Sequence, residues 1–298
     1  VNRWPLSQVA VWSQGRLQGD DVSVTGVGTD SRTLSAGALF VALAGARFDG
    51  HDYIGPQLPA AALMVSRPVR DARPQVLVDD TLAGLARFAG AWRGQLAARV
   101  IGLTGSNGKT TVKEMLASIL AQAGPTQYTR GNLNNHIGVP LSLLTIEPSH
   151  RYAVIEMGAN HAGEIAALTA MVRPQVALVN NAGPAHLEGF GDLAGVARAK
   201  GEIYGGLPAD GVAVVNADDA FAGDWLALNR ERRVLRFGLE QPAEIRGEYR
   251  QGHLRVDTPG GAFELQLPLP GRHNAMNALA ATAAGWARGS GSTRCVRV

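Results

Sequence analysis

The chain has 298 residues, 46% hydrophobic and 18% charged, which excludes a disordered protein and favours two domains over one ordinary core. A net charge of +3, scattered along the sequence, gives no argument for nucleic acid, and no run of about 18 apolar residues predicts a membrane span. Cys295 is the one cysteine and residues 1–5 lack a signal-peptide pattern, so a reducing, cytoplasmic location is expected.

Residues 1–80 read as a first domain, with short β-like runs at 22–24 and 38–43 broken by Gly and Asp. Residues 81–98 then place Leu82, Leu85, Ala86, Ala89, Trp92 and Leu96 at helical spacing, opening a second domain expected to run to 288. From Val100 the rhythm is strand, turn, helix. Strands are expected at 100–104, 152–157, 176–180 and 212–216, and helices at 109–123, 162–171, 193–204 and 218–228. That alternation predicts an α/β fold with a mostly parallel sheet covered by helices on both faces. Residues 244–269 switch to hairpin-like alternation, with Gly252 and Pro259-Gly260-Gly261 as turns, before a last helix at 274–287. Residues 289–298 read as a flexible or aberrant Gly/Ser tail.

The sharpest motif joins the first of these strands to its helix. Gly105-Ser106-Asn107-Gly108-Lys109-Thr110-Thr111 has the order a phosphate cradle needs. Glycines let successive amides face one anion, the helix start adds partial positive charge, Lys109 reaches the β and γ phosphates, and the Thr110 hydroxyl ligates Mg2+. The general pattern would place its first glycine at 103, where this chain has Leu103, so the loop departs from it by one feature. ATP binding is the expectation; a glycine turn capping an ordinary helix is the plain alternative.

Lysine is scarce. Of 28 basic residues only Lys109, Lys113 and Lys200 are not arginine. Lys113, one helical turn after Lys109, reads as a surface or loop-supporting residue. Glu156 ends an apolar strand, where ligands sit in doubly wound sheets, and a carboxylate there can hold Mg2+ or simply be solvated.

Beyond the loop, Gly131-Asn132-Leu133-Asn134-Asn135-His136, Glu156-Met157-Gly158-Ala159-Asn160-His161, Asn181-Ala182-Gly183-Pro184-Ala185-His186 and Ala199-Lys200-Gly201-Glu202 follow in order. Together they resemble the Mur ligases, which build the peptide of bacterial peptidoglycan, over nearly all of the chain to about Ala287. The resemblance is to the branch that adds D-alanyl-D-alanine to UDP-N-acetylmuramoyl-tripeptide. It implies a small N-terminal α/β UDP-sugar-binding domain and a central P-loop ATPase domain with an added β-rich segment. It further implies ATP and Mg2+ as cofactors, with Thr110, Glu156, His186 and Lys200 as the metal set. Lys200 would carry a carbamate that helps bind a second Mg2+, and Lys109, Glu156, His186 and Lys200 would form the catalytic group. His273, Asn274 and Asn277 look like the adenine and ribose edge. Ser31, Arg32, Asp49, His51, Asn134 and Asn135 look like contacts to the UDP-linked substrate, and a monomer is expected.

Three departures qualify the resemblance. Members carry a third, C-terminal domain, and this chain ends before it; the likeness fades at Arg288; and Pro56 and Pro59 break a helix expected after His51. A nucleotide- and UDP-sugar-binding fragment without ligase turnover therefore stands beside the ligase reading. The diaminopimelate- or lysine-adding Mur ligases and folylpolyglutamate synthase are enzyme rivals, and Glu156-Met157-Gly158-Ala159-Asn160-His161 argues against both.

Overall fold

The computed structural model describes residues 1–45, 48–185 and 187–287, so His186 and the tail expected at 289–298 lie outside the described residues. Contacts divide the chain into two units: Val1–Leu96 with His136–Pro148, and Ala97–Asn135 with the chain from Ser149 on.

The first unit holds a sheet ordered Arg16–Gln18, Gln75–Leu77, Ala62–Val65, Leu39–Val41, Val27–Gly28, parallel except at the Arg16–Gln18 edge. Ala62–Val65 is buried throughout, as a central parallel strand must be. The division between units runs at Leu96, not at residue 80, and the cause is packing. Helix Thr81–Gly94, capped by the Asp80 carboxylate accepting from the Ala83 amide, buries Leu85, Phe88 and Ala89. Phe88 and Trp92 meet Trp4 edge-on at 5.2 and 5.3 Å, and Trp12 stacks on Phe88 at 6.0 Å. Helix Gly138–Leu144 returns to the same unit, where the Asn2 amide donates to Leu144 and Ile146 carbonyls and Trp92 Nε1 donates to Ile146.

After the short 3-10 turn Gly50–Tyr53 no helix continues, as the two prolines predict. Arg73 pins the loop that forms instead, donating to the Leu58 and Gly55 carbonyls at 2.7 and 3.1 Å while Asp71 orients its guanidinium.

The second unit is built on nine strands, ordered Gly261–Gln266, His253–Thr258, Ile245–Arg250, Arg233–Gly238, Val212–Asn216, Val176–Val179, Arg99–Thr104, Tyr152–Glu156, Thr126–Tyr128. All pairs are parallel up to Ile245–Arg250; the last two strands turn back antiparallel, forming the expected β-rich segment. Two strands escaped the sequence reading. Thr126–Tyr128 has only three residues after a proline, and Arg233–Gly238 interrupts its apolar pattern with two arginines.

Helix Lys109–Ala121 and the alanine-rich Arg272–Ala287 pack together against this sheet. The small side chains of Ala280, Ala281, Ala283 and Ala284, all unexposed, permit the approach. The helix expected from Asp218 starts only at Ala222: the Asp218 amide donates to the Asn216 side chain and the Asp219 carboxylate accepts from the Phe221 amide in the turn before it, while the Asp218 carboxylate accepts from the Leu239 amide. Likewise the helix from Leu193 ends at Gly201 and continues as a 3-10 turn, Glu202–Gly206.

Candidate functional site

Strand Arg99–Thr104 lies between Tyr152–Glu156 on one side and Val176–Val179 on the other, and the loop 105–108 leaves its carboxyl end, where such sheets place ligands. Asparagines from neighbouring strand ends brace that loop. Asn180 Nδ2 donates to the Asn107 carbonyl (2.9 Å) and to Asn277 Oδ1 (3.0 Å), and Asn181 Oδ1 accepts from the Asn107 amide at 2.9 Å. Ser106 donates through Oγ to the Gly183 carbonyl and accepts from the Gly183 amide. Ser106 and Asn107 therefore hold the loop's shape with groups the sequence reading had assigned to ATP. Gly108 begins the helix at φ +76°, and a Cβ there would run into Asn277 Oδ1 and lie 2.8 Å from Asn180 Nδ2. The amides of the first helical turn, which have no acceptor inside a helix, remain to meet an anion.

Lys109 folds back over this loop, donating to the Gly105 carbonyl at 2.9 Å and the Ser106 carbonyl at 3.4 Å. Burial holds its ammonium below the ordinary lysine range, with Glu156 pulling the other way. Glu156 is 1% exposed. Its Oε2 accepts from Thr110 Oγ1 at 3.3 Å, and its Oε1 accepts from Asn134 Nδ2 at 2.7 Å. Gly158 makes room for that asparagine, since a Cβ there would sit 3.0 Å from Asn134 Oδ1. The paired carboxylate and hydroxyl are hard oxygen donors beside a phosphate loop, a donor set that fits Mg2+. Asn135, next in the chain, is exposed.

Lys113 corrects the sequence reading in part. It does support a loop, donating to the Gly131 carbonyl at 3.1 Å, but it is no surface residue: its side chain is 0% exposed.

Lys200 lies on Leu193–Gly201, 3% exposed, with Nζ 5.5 Å from the centre of the Phe190 ring. Burial first, and then the Lys109 charge, bring its pKa down to about 8, against weak opposition from Glu164 and Glu202. Among the described residues no carboxylate lies within ion-pair distance of it. A substantial neutral-amine fraction near pH 8 is the state that reacts with CO2.

Beside the loop opens a cavity of about 720 Å3, lined among others by Gly108, Thr111, Asn216, Asp218, His273 and Asn277. Asn274 and Asn277 are buried, joined by a 3.5 Å hydrogen bond, while His273 is exposed. Asp218 accepts from the Leu239, Glu240 and Gln241 amides, and Arg272 donates to Glu240 at 2.7 Å, which fixes the wall of the cavity.

In the first unit, Arg32 is held by Asp30 through Nε and Nη2, and that guanidinium lowers the Asp30 carboxyl to about 2. Ser31 lies between them, partly exposed. Asp49 accepts from the His51 amide, the His51 ring and Arg67, which together hold its carboxyl well below the usual range. His51 Nε2 accepts from the Ser66 amide at 3.0 Å, so Nδ1 carries the proton it gives Asp49. With its side chain 1% exposed and both nitrogens engaged, His51 shapes this loop from within.

Residues 103–285 match the Mur ligase middle domain, and residues 23–91 match the segment described as the catalytic domain of the Mur ligase family. The chain belongs to the Mur ligase family. It is 50% identical to the UDP-N-acetylmuramoyl-tripeptide–D-alanyl-D-alanine ligase of Escherichia coli, covering 93% of this chain and 63% of that one. It is 43% identical to the same-named ligase of Haemophilus influenzae, with the same coverage. The crystal structure of MurF from Acinetobacter baumannii aligns with a TM-score of 0.91 at 38% identity, over 97% of this chain and 66% of that one. MurF of Thermotoga maritima in complex with ADP aligns at 0.75 and 30% identity, over 87% and 62%. The chain thus spans about 63% of the length of the curated relatives it matches.

Within this Mur ligase core, the structure gathers residues 105–111, Asn134, Glu156 and Asn277 around one loop, and the sequence reading named all of them. It missed Asn180, Asn216, Asp218 and Asp219. Their signal was present in part, since Asn180 and Asn216 close expected strands and Ala217-Asp218-Asp219 follows the second at the carboxyl edge of the sheet.

Proposed function

We propose that the chain is the nucleotide- and UDP-sugar-binding core of an ATP-dependent amide ligase that joins D-alanyl-D-alanine to UDP-N-acetylmuramoyl-tripeptide in peptidoglycan precursor synthesis. The observation that carries this reading is the convergence of Lys109, Thr110 and Glu156 at one strand-to-helix loop beside a polar cavity. The names of the curated relatives support the choice of substrates.

In this reaction the terminal carboxylate of the tripeptide attacks the γ-phosphorus of ATP, giving an acyl phosphate and ADP. The amine of D-alanyl-D-alanine then adds to that carbonyl, and phosphate leaves through a tetrahedral intermediate. Catalysis of the first step is mainly positioning and charge neutralisation. The helix-start amides of 109–111 take phosphate oxygens, and Lys109 exchanges the Gly105 and Ser106 carbonyls for the β and γ phosphates. Bound Mg2+ would neutralise charge on those oxygens. Glu156 and Thr110 would hold it, joined by His186 and by Lys200 as its carbamate. Lys200 reaches that state when its neutral amine adds to CO2 and releases one proton. Asn134 keeps the Glu156 carboxylate aimed, and Asn274, Asn277 and His273 border the adenosine side. Ser31, Arg32 and Asp49 of the first unit would contact the UDP-sugar, with His51 holding Asp49, and Asn135 of the second unit would contact substrate or phosphate groups.

The test supplies the chain with ATP, Mg2+, UDP-N-acetylmuramoyl-tripeptide and D-alanyl-D-alanine. Pentapeptide product and ADP in equal amounts are expected. ATP binding without product would replace ligase turnover by a binding function for this chain. Product with diaminopimelate or lysine on a dipeptide substrate would assign it to the other branch.

A further inference from the structure

We infer that Lys113 is the resident counter-charge of Glu156, a positioning residue that holds this carboxylate and its loop before a divalent cation arrives. The inference rests on the reading of Glu156 as the cation's carboxylate.

The geometry is enclosed. Lys113 Nζ lies 3.1 Å from the Gly131 carbonyl, 3.2 Å from Glu114 Oε1 and 3.9 Å from Glu156 Oε2, and 5.9 Å from the centre of the Tyr128 ring. Its side chain is 0% exposed and that of Glu156 1%. A carboxylate so far from water is costly unless donors and a cation compensate it. Thr110 and Asn134 supply neutral donors. Lys109 feels Glu156 through space, but its ammonium is bonded to the Gly105 and Ser106 carbonyls and is required at the phosphates. Lys113 is the fixed charge that stays.

Its ammonium is hydrogen-bonded to one carbonyl and lies within ion-pair distance of two carboxylates, a crowded setting that suits a compact charge better than a planar guanidinium fork. The grip is also two-sided. Lys113 holds Gly131, and three residues later the same segment presents Asn134 to the opposite oxygen of Glu156. Lys113 and a divalent cation are therefore partial substitutes: each neutralises one carboxylate, and loss of the first makes the protein lean more on the second.

The experiment compares melting of wild type, Lys113→Met, Glu156→Gln and the double variant, in EDTA and in saturating Mg2+ with ADP. In EDTA, Lys113→Met is expected to melt at least about 5 °C lower than wild type, because it strands a buried charge. It should then gain more from Mg2+ and ADP than wild type gains. The double variant should melt close to Glu156→Gln, so that the two substitutions are strongly non-additive. Additive losses, or equal Mg2+ gains, would show that Lys113 only tethers Gly131 and would overturn the inference. Should Lys113→Met fail to fold, recovery of folding in the double variant supports the inference, and failure of the double where Glu156→Gln folds overturns it. The reading of Glu156 is tested apart: it fails if Glu156→Gln gains as much from Mg2+ as wild type, while the coupling in EDTA still decides the role of Lys113.

Discussion

Lys109, Lys113 and Lys200 are the only lysines of the chain, and all three lie in the second unit, Lys113 and Lys200 buried and Lys109 partly buried on the phosphate loop. On the proposed function each position uses a property that guanidinium lacks: a single compact charge on phosphate, a compact ammonium enclosed beside a carbonyl and two carboxylates, or a neutral amine near physiological pH. For Lys200 that last property is directly checkable. With 13C-labelled bicarbonate near pH 8, wild type is expected to show a carbamate carbonyl resonance that Lys200→Arg lacks, and the variant should bind Mg2+-ATP at least about tenfold more weakly, roughly 1.4 kcal/mol. Scarcity of lysine was legible in the sequence, but it did not distinguish Lys113. Its spacing from Lys109 shows only that both share a helix face; the enclosure comes from Tyr128 and Gly131, brought over it by a strand too short to read.

Two loops show how an element is shaped by hydrogen bonds from residues distant in sequence. The phosphate loop takes its shape from Asn180, Asn181 and Asn277, which leave no space at Gly108. Gly108→Ala forces an L-residue to φ +76° and displaces Asn277, at a cost of about 1–2 kcal/mol from the backbone alone. ATP affinity measured by calorimetry should fall by about tenfold or more, with the melting temperature moving only a few degrees.

In the first unit, the loop after Leu39–Val41 is clasped by Asp49, His51, Ser66 and Arg67. The Asp49 carboxyl is depressed below its unfolded value near 3.8, so its contribution is complete above that pH and is lost as pH falls through the folded value. Asp49→Asn should therefore lower stability at pH 6 and flatten its decline between pH 4 and 2, as read by denaturation at each pH. From the sequence Asp49 and His51 stood out only by resemblance, and Ser66 and Arg67 not at all. No local pattern announces that Ser66, fifteen positions on, will cap the histidine ring.

At the scale of the molecule, the strand–loop–helix rhythm of the second unit was readable, because buried parallel strands such as Val176–Val179 are continuous apolar runs. The division of the chain was not. Helix Gly138–Leu144 follows directly on a loop of the site, yet its apolar face, Val139, Leu143 and Leu144, is buried in the first unit. That assignment depends on Asn2 and Trp92, far away in sequence. A fragment starting at Ala97 would leave this face and Ile146 uncovered. It should bind a hydrophobic dye and aggregate on size-exclusion chromatography, whereas residues 1–298 together should not; a monomeric, dye-free fragment would refute that.

The same return of the chain constrains inheritance. Two related genes that recombine once near residue 96 exchange more than a nucleotide-binding half. They place one parent's 136–148 segment in the core of the other parent's first unit, where Trp92 and Asn2 must accept a foreign helix. Viable exchanges are expected to carry a second crossover pair flanking 136–148, or to occur between parents whose residues at this helix already agree.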